Sequence, residues 1–212
     1  MERIIKVDGR WVPHGHDQKW KIHAERAELD LPMPLRHCVD HRVAIQAGGN
    51  VGAWAVALAK KFDTVLTFEP DETNFSCLIK NVIHADNVIC YEAALGERED
   101  MLFLENSGNP DSHYMTNAPG KTRVMAIDDL QLKSVDYMEL DIEGFEYHAI
   151  LGAIVTIQEC RPVIQVEEKG NGRKKGDGYD LHDIMDILHD YRVLGKTGKY
   201  DFVLVPEERC SQ

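Results

Sequence analysis

Residues 43 to 52 constrain this chain more than any other stretch. Val43-Ala-Ile-Gln-Ala47 is a short apolar run of β type that breaks into Gly48-Gly49-Asn50 and resumes at Val51-Gly52-Ala53-Trp54-Ala55 with helical character. That is a strand, a tight turn and a helix. Seventeen residues past Gly52 a second apolar run, Thr64 to Phe68, ends on the acid Glu69. A glycine turn after a first strand lets backbone come close to a ligand, and an acid at the tip of the next strand can accept hydrogen bonds from ribose hydroxyls. The pair predicts a ligand that carries a nucleoside.

A dinucleotide calls for three glycines as G-x-G-x-x-G, so that a pyrophosphate rests on the helix N-terminus. From Gly48 the chain instead reads Gly-Gly-Asn-Val-Gly, and no phosphate loop ending in Lys-Ser or Lys-Thr occurs. S-adenosylmethionine has ribose and adenine but no phosphate, and suits a site with fewer glycines and the same acid.

The 212 residues fit one domain with a real core, and 43% hydrophobic with 28% charged residues is ordinary for a soluble globular protein. No apolar run approaches the ~18 residues that span a bilayer, and the start at Met1 lacks the pattern of a signal peptide. The expectation is a cytoplasmic protein without membrane contact. A net charge of -12 disfavours nucleic acid as a partner, with Arg173-Lys174-Lys175 the one basic exception. Cys38, Cys77, Cys90, Cys160 and Cys210 are an odd number, widely spaced and without C-x-x-C, which reads as reduced, mostly buried thiols. His14 and His16 lack a nearby third ligand and read as exposed.

Residues 4 to 12 read as two short strands about Asp8-Gly9, a strong hairpin signal. A charged stretch from Lys19 to Glu28 has helical propensity but weak periodicity, and 29 to 41 is a linker with Pro32 and Pro34. These residues, 1–41, form an N-terminal hairpin and helical extension before a cofactor-binding domain at 42–212. In that domain strands at 42–47, 63–68, 88–91, 135–140 and 162–166 alternate with helices at 51–61, from Asp71 onward, at 145–158 and at 180–190. Such alternation argues for a parallel sheet with helices on both faces. The rhythm loosens between 97 and 127, where Met101–Leu104 and Arg123–Ile127 flank the polar stretch Glu105 to Lys121, read as a lid or binding loop. Asp128-Asp129 reads as a helix N-cap. Two last strands, 191–194 and 200–205, form a hairpin that places an antiparallel strand in the parallel sheet. The expectation is the α/β class I methyltransferase (Rossmann-like) fold, a mostly parallel seven-stranded sheet with a C-terminal antiparallel hairpin.

With these pieces together the chain resembles the FkbM-type methyltransferases. The resemblance rests on Ala47-Gly-Gly-Asn-Val-Gly52, on Phe68-Glu-Pro-Asp-Glu-Thr-Asn-Phe75 with Leu78 and Asn81, and on Ala94-Leu-Gly96 and Ile127-Asp-Asp-Leu130. It continues through Val135-Asp-Tyr-Met-Glu-Leu-Asp-Ile-Glu-Gly-Phe-Glu146 with Leu151-Gly152, and Arg161-Pro162 leading to Glu167. It implies an S-adenosyl-L-methionine-dependent enzyme that O-methylates hydroxyls on small molecules or sugars. Where the family usually has an acid at the end of the first strand, this chain has Gln46, whose oxygen can still accept a hydrogen bond.

The expected cofactor residues are Gln46, Ala47, Gly48, Gly49, Asn50, Gly52, Glu69, Pro70, Ala93, Ala94 and Asp141, with Glu69 bonding the ribose and Asn50 beside the methionine moiety. Asp141, Glu143 and Glu167 should converge at the same sheet edge as catalytic residues. Asp141 would contact the methionine end or the acceptor, and Glu143 or Glu167 would abstract a proton. Glu143 also reads as a helix N-terminal acid. Three carboxylates could hold a divalent cation, though no metal is assigned. Ser112, His113 and Tyr114, with Arg173 to Lys175, would rim the acceptor pocket. A methyltransferase of protein or nucleic acid is disfavoured by the acidic charge. The rival from another class is a cofactor-binding module or partner subunit in which Gln46 marks lost catalysis.

Overall fold

The chain begins with a hairpin of β1 (Ile4–Val7) and β2 (Arg10–Pro13), whose turn puts both Asp8 and Gly9 at positive φ, as a two-residue Asp-Gly loop favours. This is seen in a computed structural model that describes residues 3–109, 113–169 and 179–210. α1 (Lys19–Asp30) follows, and α2 (Pro32–Leu35) occupies part of the expected linker, with Pro32 in the first turn where a missing N–H costs nothing. The extension is packed onto the main fold. Asn81 bonds both the amide and the carbonyl of Trp11, and Ala27 and Leu31 are buried with Trp54 and Leu58.

From there strands and helices alternate: β3 (Val43–Ala47), α3 (Ala53–Ala59), β4 (Thr64–Phe68), α4 (Glu72–Val82) and β5 (Val88–Tyr91). Four short strands come next, β6 (Ala94–Leu95), β7 (Asp100–Glu105), β8 (Tyr114–Pro119) and β9 (Thr122–Met125). The rest comprises β10 (Tyr137–Leu140), α5 (Glu146–Leu151), α6 (Ile154–Cys160), β11 (Val163–Glu167), α7 (Leu181–Ile187), β12 (Tyr191–Lys196) and β13 (Asp201–Pro206). The main sheet has seven strands in the order β12-β13-β11-β10-β3-β4-β5, and β13 runs antiparallel to both neighbours while β11, β10, β3, β4 and β5 are parallel. Among the described residues no helix is long and apolar enough to cross a membrane.

Side-chain alternation sorts the sheet into two faces. Ile45, Leu66, Phe68, Met138, Leu140, Ile164 and Leu204 pack with Ile150, Ile157, Ile184 and Leu188 of α5, α6 and the α7 region. Ala44, Val65, Tyr137, Val163 and Val203 pack under α1 and α3. On this second face the strands turn polar toward their C-terminal ends. Thr67, Gln46, Glu139 and Gln165 form one register row, and Asp201 pairs with Glu167 beyond it.

Several expectations needed correction. The stretch from Glu105 to Lys121 is not one loop, because β8 pairs with β7 in a four-stranded sheet ordered β6-β9-β7-β8. Met115, inside that polar stretch, is buried with Leu102, Leu104 and Phe145, and this packing outweighs the local composition. The helix expected at 145–158 is two helices. At Gly152 a Cβ would lie 2.0 Å from the Gly96 carbonyl oxygen, so the backbones touch there, and α6 begins afresh with the Asp128 carboxylate accepting from the amides of Val155 and Thr156. Asp128 thus caps α6, while the residues after it form only a 3-10 turn, Asp128–Leu130. All five cysteines are free, but contrary to expectation only Cys77 is buried; Cys38, Cys90 and Cys160 are half-buried and Cys210 is exposed.

Candidate cofactor and active site

The amides of Gly48 and Gly49 both donate to the Phe68 carbonyl, at 3.1 and 2.8 Å, which ties the turn after β3 to the end of β4. Gly48 has φ 86, and a Cβ there would stand 2.1 Å from the Asp141 carbonyl oxygen, so no other residue fits. The amide of Asn50 donates to one oxygen of Glu69 at 2.6 Å and that of Asp71 to the other at 2.8 Å. Each oxygen keeps a further lone pair for a ligand hydroxyl. Glu69 is 5% exposed, and burial pushes its pKa up to about 7 against the pull of those two amides.

A cleft of about 950 Å³, its open mouth included, lies beside this turn. Its lining includes the apolar side chains of Phe68, Leu95, Leu104, Met115, Ile142 and Phe145 and the polar ones of His23, Arg26, Gln46, Glu139, Asp141 and Lys169. Of the residues expected from sequence, Gln46, Ala47, Gly48, Asn50, Glu69, Pro70, Ala94, Asp141 and Glu143 line it, as does His113. Gly49, Gly52 and Ala93 stand behind the lining. Gly49 packs on Thr67 and Leu78, Gly52 (φ 90) brings α3 against Leu78, and Ala93 is buried. Ser112 and Arg173 to Lys175 fall outside the described residues.

The three expected catalytic acids meet at the ends of β10 and β11, held by two cations. Lys169 Nζ lies 3.0 Å from Glu143 and 2.5 Å from Glu167. Arg26, from α1, lies 3.4 Å from Asp141, 3.4 Å from Glu167 and 2.6 Å from Asp201. Burial, and then the charge of Asp141, pushes the Glu167 pKa up to about 9, with Lys169 working the other way. Glu167 lines a second, smaller cleft with Tyr147 and Tyr179 instead of the main one. Asp141, Glu167 and Asp201 offer carboxylate oxygens within 4.8 Å of one another, the spacing of a cation site, and the positive group against all three is the Arg26 guanidinium.

Gln46 is fully engaged. Its amide nitrogen donates to the Gly48 carbonyl (2.9 Å) and to Glu139 (3.0 Å), and its oxygen accepts from Thr67 (2.5 Å). Glu139, its register neighbour, brings an acid into the cleft beside Gln46. The turn before α5 is closed by Glu146, which accepts from the amides of Ile142 and Gly144, while Glu143 reaches Lys169. Sequence reasoning missed Arg26, Glu139, Asp201 and Glu146. A signal for Arg26 existed: Lys19, His23, Arg26 and Asp30 repeat at helical spacing and share one stripe of α1.

These groups fit S-adenosylmethionine by their chemistry, with a buried acid for a ribose diol, an apolar shelf for adenine, and acids with a guanidinium for an amino-acid end. Residues 46–193 match the profile described as the methyltransferase FkbM domain. The chain belongs to the FkbM methyltransferase family. S-adenosylmethionine is the cofactor of that family. A solved FkbM methyltransferase from Methylobacillus flagellatus KT is similar at TM-score 0.60 and 21% identity, over 89% of this chain and 50% of that one. The structure of EvdMO1 is similar at TM-score 0.50 and 16% identity, over 96% and 43%. Magnesium protoporphyrin IX methyltransferase from Synechocystis PCC 6803, solved with bound SAM, reaches TM-score 0.49 at 12% identity, over 90% and 82%. At such identities the first two speak for the fold, that of class I methyltransferases, and this FkbM chain spans half or less of their lengths. No curated protein matches it at a significant level. The matched segment starts at Gln46, so α1, which carries Arg26, lies outside it.

Proposed function

We propose that this chain carries the donor site and catalytic groups of an enzyme that methylates a hydroxyl on a small molecule or sugar. S-adenosylmethionine supplies an electrophilic methyl group when bound. Glu69 accepts from the ribose hydroxyls, Asn50 and Gly48 form the turn beside it, and Pro70, Ala94 and Leu95 shelve the adenine. Glu143 and Lys169 act on the acceptor. The ammonium eases loss of the hydroxyl proton and the carboxylate takes it, so the oxygen that attacks is anionic. The rest of the task is alignment. The observation that carries this reading is the Glu143–Lys169 pair, 3.0 Å apart and lining the donor cleft.

The test is release of S-adenosylhomocysteine with a panel of hydroxylated sugars and phenols, with amines and thiols as controls. Glu143→Gln should lower kcat about 10²- to 10⁴-fold and leave donor affinity unchanged. Methyl transfer to nitrogen alone, or full turnover by the variant, would refute the reading. A donor-binding module without turnover is the second reading, suggested by Gln46 where the family resemblance implies an acid; it requires donor binding with no consumption across the whole panel.

A further inference from the structure

We propose that Arg26 receives the carboxylate of the donor's methionine end, with Asp141 facing the ammonium, an assignment that rests on the donor reading above. Arg26 comes from α1 and lines the cleft together with Asp141, 3.4 Å from it. Its side chain is 31% exposed and that of Asp141 22%, so both open to the cleft although both are ionic.

Only one contact of its guanidinium is close. Nη2 holds Asp201 at 2.6 Å, while Nη2 to Glu167, Nη1 to Asp141 and Nε to Asp30 all stand at 3.4–3.5 Å. A charge-assisted hydrogen bond is normally about 2.7–2.9 Å. The Arg26–Asp141 contact is therefore loose, and an amino acid's zwitterion inserted there gives each partner a closer opposite charge. The other cation in the lining, Lys169, is committed to Glu143 and Glu167. Without Arg26, Asp141 would face an incoming carboxylate with a like charge. A planar guanidinium can also hold a carboxylate through two N–H groups at once.

The inference is tested by calorimetry on the whole chain with three probes: S-adenosylmethionine, its decarboxylated form, and 5′-methylthioadenosine, which lacks the amino-acid end. The wild type should prefer S-adenosylmethionine over the decarboxylated form by about tenfold to a hundredfold. In Arg26→Met that preference should collapse, and Arg26→Lys, which keeps a charge against the buried acids, should retain part of it. Binding of 5′-methylthioadenosine should be equal in all three proteins, which also reports that the variants are folded. If Arg26→Met keeps the preference, or the wild type has none while still binding 5′-methylthioadenosine, the assignment to Arg26 falls and the donor reading stands. If the wild type binds none of the probes, the donor reading falls and takes this one with it.

Discussion

Glu69 combines burial, two fixed amide donors and a place at the cleft wall. Its charge is costly in that setting, which is why its pKa rises to about 7 when nothing else donates to it. Ribose hydroxyls would favour the ionised form, so donor binding should lower that pKa and release a proton below neutrality. Affinity should accordingly climb as pH rises through about 7, and calorimetry in buffers of different ionisation heat should detect the proton. Glu69→Gln should abolish this pH dependence, and Glu69→Ala should weaken binding on the order of a hundredfold or more. Unchanged affinity in the alanine variant would remove the ribose role.

At the scale of elements, α6 depends on a residue far from it in the chain. Asp128 accepts from two α6 amides and the Thr156 hydroxyl at 2.8–3.0 Å. Asp128→Ala should cost about 1–2 kcal/mol in a denaturant melt and leave donor affinity unaltered. This cap also shows why some elements were legible in sequence and others not. The glycine turn, Glu69 and the strand-end acids announced themselves because local residue types carry their geometry. The break between α5 and α6 did not, since Ile150, Leu151, Ile154 and Ile157 keep one helical period while the interruption comes from contact with Gly96. β8 was hidden because Met115 alone in a polar stretch gives no period, and only burial against Phe145 reveals it. Arg26 was obscured for a related reason: its stripe on α1 is polar, as befits a helix covering acids, and a hydrophobic pattern cannot disclose it.

For the whole molecule the balance of titrations sets a pH of greatest stability. Burial lifts Glu69 and Glu146 to about 7 and Glu167 to about 9, above the ordinary glutamate value of 4.5. Each therefore contributes stability that is complete below about 4.5 and is lost as pH rises through its folded value. Asp136 runs the other way. Burial works to raise it, but the Arg42 guanidinium and the amides of Arg42 and Val43 hold it below the usual range, so its contribution is lost in acid. Without ligand, the melting temperature should rise from pH 8 toward pH 5 and fall again below about pH 4. A melting temperature that peaks above pH 7 would contradict this balance.

The bond from Arg26 to Asp201 joins positions 175 residues apart. On a ribosome, the glycine turn and Glu69 are made early, but the anchor that steadies Arg26 belongs to the closing hairpin. A nascent chain would thus hold the residues proposed for the adenosine well before β13 could steady the one proposed for the amino-acid end.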